Sequence, residues 1–259
     1  MINLKLILIL VPILFSCGEL KNILNHSSLQ DDKTTNESGV VITFDDNTVN
    51  DWYAVSEVLS FYDWKATFFV SNFNTLFETE ILKLKSLKRE GHEIAGHGFQ
   101  HVNSVNYITE NGKATYLNVE IYPMLNLMRE NGLPITSFSY PFGSRNSSVD
   151  SILFNEFKIL RSTTYGNPKP KSAECYYEKE RLVRGLGLDG SYEHSSIPYF
   201  ISLLAYAKKH NKIVVFYAHK PIPTLENIYQ VEYKTLIEIC KFVKSNNMKF
   251  YTFSELHNL

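Results

Sequence analysis

The 259-residue chain has almost no surplus of either charge, with 26 Lys and Arg against 27 Asp and Glu and a formal net charge of -1. Without a basic surplus it lacks the electrostatic footprint of a nucleic-acid binder, so no polyanionic partner is expected. No Gly-rich dinucleotide or phosphate loop follows the first strand-like run, which argues against the nucleotide-binding classes that need one. No internal repeat appears. Cysteine is scarce, at three residues. Cys240 falls on the apolar stripe Leu236, Ile237, Cys240, Val243 of a predicted helix and reads as a small buried residue. Cys175 lies in a polar, Pro-flanked segment, and no disulfide between the two is expected.

Apolar residues make up 44% of the chain, with 17 Phe and 16 Tyr, enough for a sizeable core. The same aromatics suit a surface that stacks sugar rings. The start, MINLKLILILVPILFSC, carries Lys5, an apolar run to Phe15 and a small residue before Cys17. That is the architecture of an export signal. The run is shorter than the roughly 20 residues that span a bilayer, and it contains Pro12. Leu14-Phe15-Ser16-Cys17 resembles a bacterial lipoprotein signal, which implies lipidation of Cys17 and a membrane-anchored protein of the cell envelope; the alternative is a plain secretory signal in which Cys17 is incidental. Residues 18–39 are polar and without period, and read as a tether. The remaining domain is expected over 40–259.

There, short β-rich runs alternate with helical patterns. Strands are predicted at 40–44, 66–71, 92–95, 135–140, 158–162, 182–185, 213–217 and 249–252, and helices at 50–62, 78–90, 114–131, 147–156, 196–210 and 231–246. Repeated βα units favour a parallel sheet, and seven or eight strands favour a distorted (β/α) barrel in one α/β domain. Loops 72–77, 102–113 and 164–194 are expected around the site, and their aromatics, including Tyr107 and Tyr165, either pack or contact sugar. In a barrel, residues just after the strands gather on one face. Asp45-Asp46, His97 to His101, Ser139 to Gly143, and His219 all occupy such positions.

Two adjacent carboxylates at a strand end repel each other unless a cation or a proton intervenes. The alternative is that one of them caps the next helix. His97 and His101, four apart, can turn both imidazoles to one point; with one Asp they would form a facial set that leaves coordination positions open. His219 follows the apolar strand IVVFY and emerges on the same face, or else is a core His bonded to backbone. His26, His92, His194, His210 and His257 read as structural or solvated.

The ordered pieces TFDD (43–46), ATFFV (66–70), GHEIAGHGFQH (91–101), SYPFG (139–143) and the strand ending at His219 resemble the polysaccharide deacetylases, carbohydrate esterase family four. The resemblance implies that Asp45 is the general base and His219 the general acid. It implies that Asp46, His97 and His101 hold a divalent metal, most often Zn(II), with Co(II) or Ni(II) as alternatives. Tyr140, Pro141 and Phe142 correspond to a wall that contacts substrate. The implied reaction removes N-acetyl groups from a glucosamine-containing glycan; alternatives are removal of O-acetyl groups and an inactive glycan-binding lipoprotein. Three positions depart from the family pattern. Asn47 replaces a Gly, Gly98 replaces a Ser or Thr, and Ser139 replaces the Arg that orients the catalytic Asp. Arg145, Arg161 and Arg184 are candidates for the missing cation, and Asp189 for the carboxylate that tunes the catalytic His.

Overall fold

The computed structural model describes residues 37–259; the leader, Cys17 and the tether up to residue 36 lie outside the described residues. Strand β1 (Gly39–Asp46) pairs in parallel with both β2 (Thr67–Val70) and β7 (Ile213–Ala218). Between them run β3 (Glu93–Gly96), β4 (Ser137–Ser139), β5 (Ile159–Thr164) and β6 (Leu182–Gly187), each parallel to its neighbour. The seven strands therefore close into a barrel. An extra strand, β10 (Lys249–Tyr251), pairs with the first half of β1 at Gly39 to Val41, while β2 pairs with the second half from Thr43. The barrel is thus distorted at its lower edge, where one strand feeds two neighbours.

The period-2 pattern of each strand divides the core in two. Val40, Ile42 and Phe44 face outward into the layer beneath the helices, while Val41 joins Phe69, Ile159, Val183 and Val215 inside the barrel. The helices contribute 3.6-period stripes to the outer layer. In α1 (Val49–Leu59) the stripe is Val49, Trp52, Val55 and Leu59; in α8 (Tyr233–Ser245) it is Leu236, Ile239, Cys240 and Val243. Each fully buried aliphatic or aromatic side chain in such a stripe contributes roughly 1.5–3 kcal/mol. Helices α2 (Glu78–Arg89), α6 (Ser147–Leu153) and α7 (Ile197–His210) complete the predicted set. Cys175 and Cys240 are both buried and free. Among the described residues no helix is long and apolar enough to cross a membrane.

Three regions differ from expectation. The segment 102–113 contains α3 (Ser104–Asn111), capped by the Asn103 side chain, which accepts from the Asn106 N–H at 3.0 Å. Its polar, weakly periodic sequence hid it, and Tyr107 packs on Tyr116 instead of facing the site. The helix predicted at 114–131 is α4 (Lys113–Tyr116), a π-helical stretch (Leu117–Ile121) and α5 (Tyr122–Glu130). A short two-stranded ribbon, β8 (Lys220–Ile222) and β9 (Gln230–Glu232), lies in the connection after β7.

Candidate active site

Regular alternation would send Asp45 and Asp46 to opposite faces of β1. Instead Asp46 adopts φ 83°, a turn that brings both carboxylates to the mouth of the barrel. Neither caps α1, which begins after Thr48 without a side-chain cap hydrogen bond. Asp46 Oδ1 stands 3.4 Å from His101 Nε2 and 3.7 Å from His97 Nε2, and the two imidazole nitrogens are 3.3 Å apart. Donors on a tetrahedral ion at about 2.0–2.1 Å stand about 3.3–3.5 Å from one another, so the triangle has the size of a three-donor metal seat.

The protonation of the histidines agrees with that use. His97 Nδ1 lies 3.0 Å from the Ser139 carbonyl, which can only accept, so Nδ1 carries the proton and Nε2 presents its lone pair. Burial pulls the His97 pKa down to about 4 and also lowers that of His101, keeping both rings neutral near pH 7.

Asp45 has a different environment. It is buried, and burial alone would raise its pKa, but the Arg161 guanidinium, with His97 and His219, outweighs that and holds the carboxyl below the usual range. Arg161 Nη2 donates directly to Asp45 Oδ2. Arg161 is itself fully buried, its guanidinium carbon 4.8 Å from the Tyr217 ring centre and 5.4 Å from that of Phe69. In register, Arg161 on β5 is the partner of Ser139 on β4. The cation missing from position 139 therefore reaches Asp45 from the next strand. Ser139 takes up a smaller task, its hydroxyl 2.6 Å from His97 Nδ1 and 3.5 Å from Asp45 Oδ1. The other two candidate cations are engaged elsewhere, Arg145 with Asp150 and Arg184 with Glu174. Alternation along β5 carried a usable signal, since Arg161 shares the inward face with Ile159.

His219 follows β7, and the Trp52 indole N–H donates to its carbonyl at 3.1 Å. Its Nδ1 is 2.6 Å from Oδ2 of the fully buried Asp189, whose Oδ1 accepts the His219 backbone N–H at 3.1 Å. Burial disfavours the imidazolium, but Asp189 more than compensates and the His219 pKa is raised. Asp45 and His219 both line one cleft of about 820 Å³. Phe142, Tyr165, Tyr192 and Tyr229 also face it, with Phe142 69% and Tyr165 93% exposed.

The SYPFG segment divides its roles. Phe142, at φ 60°, places its ring 4.6 Å from that of His101 and opens to solvent. Tyr140 borders the cleft but is buried, its hydroxyl donating to Asp150 at 2.7 Å. Pro141 is buried in the turn. His92 is a structural residue between Ser56 and the Ala66 N–H. His194, which sequence alone made structural or solvated, lines the cleft and bonds the Gly187 carbonyl at 2.8 Å.

Residues 32–155 match the family model described as polysaccharide deacetylase. The matched stretch holds Asp45, Asp46, His97 and His101 and ends before Arg161, Asp189 and His219. Solved structures share the fold over most of the chain. The chitin deacetylase from the fungal pathogen Colletotrichum lindemuthianum superposes with a TM-score of 0.57 at 18% identity, over 86% of this chain and 88% of its own. The peptidoglycan deacetylase from Bacillus subtilis gives 0.53 at 17% identity, over 86% and 92%. A family 4 acetyl xylan esterase from Clostridium thermocellum, in complex with a cobalt ion, gives 0.52 at 19% identity, over 85% and 90%. At these identities the likeness establishes the (β/α) barrel fold. No curated protein sequence matches the chain.

Proposed function

We propose that the chain is a metal-dependent hydrolase that removes acetyl groups from a glycan, with N-acetylated glucosamine units as the preferred substrate. The observation that carries this reading is a pair of oppositely tuned groups in one cleft: Asp45, whose pKa Arg161 lowers, and His219, whose pKa Asp189 raises. Asp45 takes the proton of the attacking water, and His219 gives one to the departing nitrogen. Arg161 favours the ionised form of Asp45, and Asp189 favours the protonated form of His219. Asp46, His97 and His101 would hold a divalent ion, Zn(II) first, with Co(II) or Ni(II) also suited to the donors. When bound, such an ion supplies Lewis-acid polarisation of the acetyl carbonyl and makes a water acidic near neutral pH. Phe142 and Tyr165 offer exposed ring faces to sugars, and Tyr140 and Pro141 brace the turn that presents Phe142.

Acetate release from acetylated chitooligosaccharides, peptidoglycan and xylan, with added Zn or Co, tests the reading. Release from the first two supports N-deacetylation. Release from xylan alone favours the O-acetyl esterase reading, which similarity to an acetyl xylan esterase supports. No release from any of the three would leave a glycan-binding protein. We further propose that the domain works at the cell envelope, tethered through lipidated Cys17; Cys17→Ala should move it from the membrane to the soluble fraction, and unchanged partition refutes the anchor.

A further inference from the structure

The loop that carries both histidines holds a conformation its own backbone disfavours. Gly98 lies at φ 89° and His101 at φ 57°, and the latter costs a non-glycine residue about 1–2 kcal/mol. What restrains the loop comes from a different element. The Phe99 N–H donates to the Glu120 carbonyl at 3.2 Å, the Gln100 N–H to Glu120 Oε2 at 2.7 Å, and the Val102 N–H to Glu120 Oε1 at 3.1 Å. One residue thus holds the backbone on both sides of His101.

Glu120 is fully buried and sits in the π-helical stretch between α4 and α5. A π turn rotates the side chains that follow it relative to a regular helix, and such turns recur at functional sites. Gly98 completes the fit. A Cβ added there would lie 2.3 Å from Glu120 Oε1, so the carboxylate occupies the space a larger residue would need. Where the family pattern has Ser or Thr after the first histidine, this chain has a glycine and a buried carboxylate brought in from the helix.

We infer that Glu120 is a positioning residue for the metal seat, fixing the loop so that His101 Nε2 meets His97 Nε2 and Asp46 Oδ1. This rests on the metal-dependent reading above. Loss of the Glu120 carboxylate leaves the Gln100 and Val102 N–H groups to find other partners and lets His101 swing away from the triangle, although the Phe99 N–H keeps the backbone carbonyl of residue 120.

The test is zinc affinity of the full chain, measured by competition with a chelator, together with the visible absorption of the Co(II)-loaded protein and melting of the metal-free protein. Glu120→Ala should bind Zn(II) about 10–100-fold more weakly and alter the Co(II) bands, which a purely structural role would leave alone in a protein that still folds. Glu120→Gln keeps the size and one acceptor oxygen, and should fall between wild type and Glu120→Ala. Should Glu120→Ala fail to fold, Glu120→Gln carries the test. Zinc affinity and Co(II) bands unchanged from wild type in the folded variant overturn the proposal. A wild-type chain that binds no zinc overturns the metal-dependent reading itself, and the role of Glu120 with it.

Discussion

The barrel holds a carboxylate at each mouth, and the two are treated in opposite ways. At the upper mouth Asp45 meets a buried guanidinium and its pKa falls. At the lower mouth Glu93, half-buried at the start of β3, meets only neutral donors: Ser137 Oγ at 2.5 Å, Thr67 Oγ1 at 3.0 Å and the Ser254 N–H at 2.8 Å. There burial prevails over those donors and the pKa rises. The contrast teaches that a desolvated acid does not by itself mark a site. Neutral hydrogen bonds suffice to tie strand ends together, whereas a carboxylate kept charged inside the barrel requires a cation brought there for it.

The largest effect is expected at the upper mouth. Asp45→Asn should lower acetate release by about 10²–10⁴-fold while zinc stoichiometry is retained, measured by product assay and metal analysis; equal loss of metal would make Asp45 a ligand instead. Arg161→Met comes next. It strands a buried carboxylate, which costs about 3–5 kcal/mol in denaturant unfolding. It should also shift the acid limb of the kcat/KM profile to higher pH, because Asp45 loses the partner that lowers its pKa. An unmoved limb would show that Asp45 does not govern it. Asp189→Asn should shift the alkaline limb to lower pH, since His219 loses the partner that raises its pKa and gives up its proton sooner.

The smallest effect is expected for Glu93→Gln, within about 1 kcal/mol in stability and with no change in the activity profile. Its pH signature reverses that of Asp45. A group with a lowered folded pKa stabilises the fold above its unfolded value, and that stability fades as pH falls through the folded value. A carboxyl with a raised folded pKa favours the fold at low pH and loses that contribution as pH climbs from its ordinary value toward the folded one. Melting temperatures across that range should therefore decline less in Glu93→Gln than in wild type. An unchanged slope would remove Glu93 from the comparison.

Much of this was legible in the chain. The long strands announce themselves as short apolar, β-branched and aromatic runs, and Asp45, Asp46, His97, His101 and His219 stand just after such runs. Arg161 was one of three candidate cations, Asp189 was a candidate partner of His219 only through the family resemblance, and Glu120 was one more acid in a helix. Their roles were hidden because each acts on a residue at least 18 positions away, across barrel staves or from a helix to a loop. The π turn that presents Glu120 and the left-handed turn at Asp46 also leave no simple period to read.

By itself, then, the order of residues determined which segments are strands, which faces they bury, and which side chains emerge at one mouth, because periods of 2 and 3.6 are local properties of the backbone. Closure of the barrel decided which cation lowers the pKa of Asp45, which carboxylate raises that of His219, and which acid restrains the histidine loop. Those pairings depend on inter-strand register and on helix placement, which exist only once β7 has met β1.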